Sequence, residues 1–406
     1  MHYLSHTLPN GLRMIHLPVV SPVSYCGFAV NAGTRDEEEN EFGLAHFVEH
    51  MLFKGTRKRK SWHILNRMEN VGGELNAYTS KEETFVYSIS LEEHFDRAFE
   101  LLADLVFDTQ FPAHEIEKEV DVILDEINSY EDSPSELIFD EFENLLFEGH
   151  PLGHNILGNE SSLAGFDTGV GLSFLHRYYV PENMLFFSMG NMDFRKIVKR
   201  AETLVGSVSL SFPGLRRKPP FPERPVHMRT HKDTHQAHVL IGSRAYSMHD
   251  DRRIPLFVLN NLLGGPGMNS RLNVSLREKH GLAYNVESSV TSYTDTGVHM
   301  IYFGTDPKNM EKAVCLVHRE LDRLRNSALT TSQLQIARKQ LIGQLGVSRD
   351  NRENTFLGMG KSFLHYNRYD TLQEICSKIE QVTASQILEV GNEIFDPFNQ
   401  SSLIYY

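Results

Sequence analysis

Apolar positions along this chain recur with two periods, and stretches of each period alternate. In Glu41–Gly55, EFGLAHFVEHMLFKG, residues Leu44, Phe47, Val48, Met51 and Leu52 fall at helical spacing, and Lys54-Gly55 supplies a helix end. In His114–Tyr130, HEIEKEVDVILDEINSY, the apolar stripe is Ile116, Val120, Ile123, Leu124 and Ile127. Asn309–Asn326 is another long helical stretch. Elsewhere the period shortens to two, in strand patterns that come in antiparallel-looking groups. The opening segment, MHYLSHTLPNGLRMIHLP, reads as two short strands around the turn Pro9-Asn10-Gly11. Strands and helices grouped this way predict an α+β fold, with helices layered on the faces of antiparallel-rich sheets.

The pattern repeats. ENVGGELNAYTSKEETFVYSISL in the first half and REKHGLAYNVESSVTSYTDTGVHMIYF in the second both pass from a helical stretch through glycine into strand patterns. Each half also opens on a strand, CGFAVNAG in one and HVLIGSRAY in the other. Between them Phe212–Pro225 carries five prolines and a basic cluster, which cannot form a regular element. We therefore expect two homologous halves related by duplication, 1–210 and 226–406, joined by a proline-rich linker at 211–225.

Composition narrows the class. The chain has 406 residues, with 40% hydrophobic and 23% charged, as in soluble globular proteins. A net charge of −13 excludes the basic field of a dedicated nucleic-acid binder. Cys26, Cys315 and Cys376 are too few and too scattered for a disulfide framework, which suits a reducing compartment. No basic segment followed by a long apolar one opens the chain, and no apolar run is long enough to span a membrane. A cytoplasmic location is the expectation, with no membrane and no nucleic-acid partner.

The histidines are arranged. His46 and His50 stand at i and i+4 on one helix, so both imidazoles leave one face, with Glu49 beside them. Two neutral imidazoles on a rigid turn are good zinc ligands, and an adjacent carboxylate can take a proton from water. By chance, an HxxEH match arises in such a composition on the order of one time in ten, so a third ligand is the test. On the His114–Tyr130 helix, Glu119 and Glu126 project together beside the apolar stripe. Such carboxylates are either a solvated helix edge or partners of a cation.

HxxEH with a glutamate 76 positions beyond the second histidine resembles the inverzincin peptidases, and more narrowly the pitrilysin/insulinase/mitochondrial processing peptidase family. The resemblance runs through NAGTRDE, GLAHFVEHMLFKGT, GGELNAYTSKEETFVYS, EVDVILDEI, HPLGHNILG and YYVPENMLFFSMGN to GGPGMNSRL and LREKHGLAY. It implies zinc held by His46, His50 and Glu126, Glu49 as general base, and Glu119 behind a ligand, orienting it. It also implies that Asn76 and Ala77, on an edge strand, pair with an extended substrate, and that Arg277 and Tyr284 bind the substrate carbonyl. One departure is His154, where many relatives have arginine; it puts a local salt bridge in question.

The function this implies is a zinc metallo-endopeptidase hydrolysing unfolded or short peptides inside a closed chamber. Resemblance further implies a homodimer, with a heterodimer with a related chain as another arrangement. The alternative is a non-catalytic partner or scaffold subunit, although scaffold members lose a ligand, the base or the Arg/Tyr pair, and this chain keeps them all. A third reading, a zinc hydrolase of small molecules, is disfavoured by the peptide-pairing segment. Three features are set aside. His231, His235 and His238 lie in a strand pattern, where their offsets do not converge. Gly264–Gly267, GGPG, lacks the following Lys-Ser/Thr of a phosphate loop and reads as a turn. The run Arg57–Lys60 reads as a solvated loop.

Overall fold

The structure is a computed structural model, and it describes residues 2–222, 224–232 and 234–406. Its strands in chain order are β1 (Leu4–Thr7), β2 (Arg13–Pro18), β3 (Val23–Val30), β4 (Glu74–Thr79), β5 (Thr84–Leu91), β6 (Met184–Gly190), β7 (His227–Thr230), β8 (Ala237–Ala245), β9 (Ala283–Ser292), β10 (Gly297–Thr305) and β11 (Ser401–Tyr405). They form two sheets, ordered β1-β2-β6-β3-β5-β4 and β7-β11-β8-β10-β9. Apart from β1, the two sheets have one topology. In each, one outer pair is parallel (β2 with β6, β7 with β11), and all the remaining pairs are antiparallel. The duplication expected from the repeated patterns is present strand for strand.

The chain divides into two compact units that are not contiguous in sequence. The first comprises 1–128, 154–217 and 349–370, and the second 129–153, 218–348 and 371–406. A single division at the proline-rich segment does not describe this, because two helices are exchanged. Pro134–Leu146, from the first half, lays Ile138, Phe142 and Leu146 against Leu240, Met300, Tyr302 and Leu403 of the second sheet. Arg352–Tyr366, from the second half, lays Phe356, Met359, Phe363 and Leu364 against Ile15, Ala29, Phe85, Leu185 and Phe187 of the first. Each exchanged helix covers a sheet face that would otherwise lie open; the other face of each sheet packs on helices of its own half. Contact in the first unit is close enough to require glycine: a Cβ on Gly360 would lie 2.8 Å from the Phe187 ring.

The linker segment 211–225 has no regular element in its described residues, but its start is anchored. Arg217 is buried in the first unit, its guanidinium 2.9 and 2.7 Å from the two carboxylate oxygens of Asp36. In the Arg57–Lys60 run Arg57, Lys58 and Lys60 are exposed, as expected of a solvated loop, and Arg59 is the exception. Arg59 is bidentate on Glu100 and pairs with Asp104, both on the Phe95–Phe107 helix. An acidic helix face beneath the loop, far off in sequence, makes the difference. Among the described residues, no helix is long and apolar enough to cross a membrane.

Candidate metal centre

The site is built on the helix Leu44–Leu52 and on Ala113–Glu131, which meets it. Phe47, Val48, Met51 and Leu52 are buried in the first unit's core, and this fixes the helix so that His46 and His50 leave its other side. Its first turn is capped from a distance: the buried Glu37 carboxylate accepts from the backbone N–H groups of Gly43 (2.9 Å) and Ala45 (2.7 Å). Gly43 itself takes φ of 91°, and a Cβ there would lie 2.6 Å from the Leu157 carbonyl oxygen. His154, the departure noted above, closes this cap. Its Nε2 is 2.8 Å from Glu37 Oε2 and its ring stacks on Phe42 at 4.2 Å, so the polar contact survives with histidine in place.

His46, His50 and Glu126 come together, each offering one ligand atom, and these atoms all lie within 4.8 Å of one another. Glu126 Oε2 is 3.9 Å from Nε2 of both histidines. That is too long for a hydrogen bond, yet one ion with bonds of about 2 Å could touch both atoms of each pair. Glu119, buried a heptad earlier on the same helix, sits 2.8 Å from His50 Nδ1. Its other oxygen pairs with Lys54. The proton on Nδ1 is thereby fixed, which leaves the Nε2 lone pair for a cation.

Electrostatics suit a ligand set. Burial, reinforced by repulsion from His50, lowers His46 to about 3, so its imidazole is neutral, the form that binds metal. His50 is raised: burial opposes its charge, but the Glu119 hydrogen bond and the surrounding carboxylates outweigh that. Burial pushes Glu119 up, but its contacts with His50 and Lys54 overcome this and hold it below the usual range. Glu49 is raised, chiefly by burial, against a hydrogen bond with Thr79. Its Oε2 is buried without a hydrogen-bond partner, an acceptor left for a group that the protein itself does not supply. Two imidazoles and a carboxylate, with a second carboxylate alongside, form a donor set that suits zinc.

Asn76 and Ala77 lie on β4, the sheet's outer strand, paired on one side only, with Tyr87 and Val86 of β5. Arg277 and Tyr284 belong to the second unit and meet there, the guanidinium 5.3 Å from the Tyr284 ring centroid. Tyr284 is the second residue of β9, the topological equivalent of β4, and is 84% exposed. Sequence reading missed Lys54, Thr79 and Glu37. Lys54 follows His50 at i+4 and Thr79 follows Ala77 at i+2, so period could have pointed to both; nothing local marks Glu37. His238, set aside above, hydrogen-bonds the Tyr302 hydroxyl, and among the described residues only the His46 cluster is arranged for a metal.

Residues 18–160 match the insulinase family model, peptidase family M16, and residues 172–341 match the model described as the peptidase M16 inactive domain. An uncharacterized zinc protease of Bacillus subtilis (strain 168), YmxG, is 33% identical over 394 residues, 96% of this chain and 95% of its own. One from Rickettsia bellii is 33% identical over 402 residues, covering 98% and 96%. Two crystal structures share the fold. A peptidase M16 inactive domain from Pseudomonas fluorescens has a TM-score of 0.92 at 18% identity, covering 100% of this chain and 98% of that one. A protease from Helicobacter pylori has a TM-score of 0.90 at 22% identity, covering 100% and 99%.

Proposed function

The chain belongs to the insulinase family, peptidase family M16, and from that premise we propose that it is a zinc-dependent metallo-endopeptidase acting on unfolded or short peptides. The observation that carries this reading is the convergence of His46, His50 and Glu126 beside a buried Glu49 whose Oε2 has no hydrogen-bond partner. In it, His46, His50 and Glu126 hold the metal. A bound zinc ion supplies Lewis acidity, bringing the pKa of water toward about 7 and polarising a carbonyl. Glu49, raised by its burial, accepts the proton of the attacking water and can return it to the leaving amine. Glu119 keeps His50 in the ligating tautomer, and Lys54 balances its charge. The outer strand β4, through Asn76 and Ala77, offers backbone groups to an extended peptide, which needs them satisfied as it lies across the site. Arg277 and Tyr284 donate to the substrate carbonyl as negative charge develops on its oxygen. Pairing of chains around a closed chamber is a further part of the proposal; it rests on the resemblance, and sedimentation analysis tests it.

The decisive experiment is cleavage of a mixed peptide library by the zinc-loaded full chain, with metal measured on the same samples. Wild type should hold close to one zinc per chain and cleave; His50→Ala and Glu126→Ala should lose both. A wild-type chain that binds zinc and cleaves no peptide would instead be a non-catalytic partner subunit. Retention of zinc by both variants would overturn the ligand assignment.

A further inference from the structure

The chain carries a net charge of −13, so cations gathered on one cavity are out of keeping with the whole. The second unit has such a cavity, of about 470 Å³, within the about 300–1,000 Å³ typical of small-molecule sites. Arg271 reaches it from the helical turn that leads into Asn273–Glu278, Lys279 and His280 from just beyond that segment, and Arg319 and Arg323 from the helix Met310–Asn326. The lining carboxylate is Glu320, which is buried and already engaged by Arg323 at 2.5 Å. The side chains of Arg271, Lys279 and Arg319 make no hydrogen bond or ion pair among the described residues. Four fixed cations thus face one carboxylate, with three of them uncommitted. His280 adds a ring whose Nδ1 is spent on the Ser275 carbonyl at 2.7 Å, leaving Nε2 available.

Lys279, Arg319 and Arg323 are exposed and solvated, but Arg271 is half-buried, and a cation held so without a partner is costly. Burial, partly offset by attraction to Glu320 and reinforced by repulsion from Arg323, lowers Arg271 from the usual arginine range. An anion in the cavity would remove that cost. Guanidinium groups converging from separate segments are suited to charged oxygens, which they can take two at a time. The wall is also set in place: Asn269, two residues before Arg271, is hydrogen-bonded in both directions to Gln340 (3.2 and 3.1 Å). Gly264 ends the helix Arg253–Gly264 and residues 265–267 bend away from it without a phosphate-loop lysine, so recognition falls to the side chains.

From this juxtaposition we propose that the second unit carries a binding site for a small multivalent anion, one bearing two or more phosphate or carboxylate groups. The site is distinct from the metal centre and does not depend on the peptidase reading. The three uncommitted cations set the charge of the occupant, and the cavity's volume sets its size. A single inorganic ion would satisfy only some of them.

Isothermal titration of the full chain with pyrophosphate and with citrate tests this. Metal is first removed with a chelator and the chelator dialysed away, so that neither probe reports on zinc; ionic strength is held constant. One equivalent per chain of at least one probe is expected. Pyrophosphate alone would assign phosphate chemistry, citrate alone carboxylate chemistry, and both a site that selects charge. Lys279→Gln and Arg319→Gln, at exposed positions where folding is not at stake, should each weaken binding about tenfold, the loss of one charged hydrogen bond. Arg271→Gln should weaken it at least as much, with its melting temperature checked. No saturable binding at millimolar probe overturns the proposal. So does binding that Lys279→Gln and Arg319→Gln leave unchanged, or binding of polyglutamate with neither small anion.

Discussion

Glu119 Oε1 stands 2.8 Å from Nδ1 of His50, joining two helices whose contributing residues are 69 positions apart. Lys54, four residues beyond His50 and just past the end of its helix, holds the other carboxylate oxygen, so both oxygens of Glu119 are engaged. Its role in the proposed site is to orient His50. Glu119→Gln should weaken zinc binding ~10–100-fold, as loss of such outer partners does. Competition against a chromophoric chelator measures it, and unchanged affinity would leave Glu119 without that role.

Glu49 makes a different prediction, because it touches neither histidine's proposed ligating atom. Glu49→Gln should keep a full complement of zinc and lose turnover by ~10²–10⁴, the usual contribution of general acid–base action. Peptide hydrolysis at near wild-type rate would remove the proposed base.

Arg277 and Tyr284 are paired on the second unit and far in sequence from every proposed ligand. Tyr284→Phe and Arg277→Ala should each lower kcat by ~10²–10³, the cost of losing one donor to a developing oxyanion. Zinc content and melting temperature should not move, since the Tyr284 ring is exposed. Wild-type turnover in both variants would restrict the chemistry to the first half.

Acid should loosen the exchanged helix Arg352–Tyr366. Glu83, buried at the turn before β5, pairs with Lys361 at 2.5 Å and with His365 Nε2 at 3.0 Å, two residues one helical turn apart. Burial alone would raise its carboxyl, but these two partners outweigh burial and hold it at about 2, against 4.5 for an unhindered side chain. A carboxyl lowered on folding adds stability that is fully present above about 4.5 and is lost as pH falls through about 2. Glu83→Gln should therefore destabilise the protein near neutrality by about 3 kcal/mol and flatten the loss of stability across that window. Denaturant titrations at several pH values check both parts; parallel pH curves for the two proteins would refute the linkage.

A fragment of residues 1–205 contains every proposed zinc ligand but lacks Phe356, Met359 and Phe363, which cover Ile15, Phe85 and Phe187. We expect it to aggregate or bind a hydrophobic dye, and to recover when the Arg352–Tyr366 peptide is supplied. A stable, soluble fragment would show that this face tolerates exposure.

The sequence by itself determined what depends on local spacing. An i, i+4 histidine pair must share a helix face, Glu119 and Glu126 must share another, and an alternating pattern must place β4 and β9 in sheets. The same order of helix, glycine and strand in both halves made the duplication legible, and the sheets repeat it strand for strand. What only the tertiary structure decided is which surfaces meet. The apolar stripes of Pro134–Leu146 and Arg352–Tyr366 require cover, but burial is non-directional, so nothing in either stripe names the sheet it lies on. Glu37 capping the histidine helix, Arg217 plugging onto Asp36 and Arg59 crossing to Glu100 are of the same kind. In each, a polar side chain finds its partner through the fold, and a hydrogen bond at under 3 Å leaves no periodic trace along the chain.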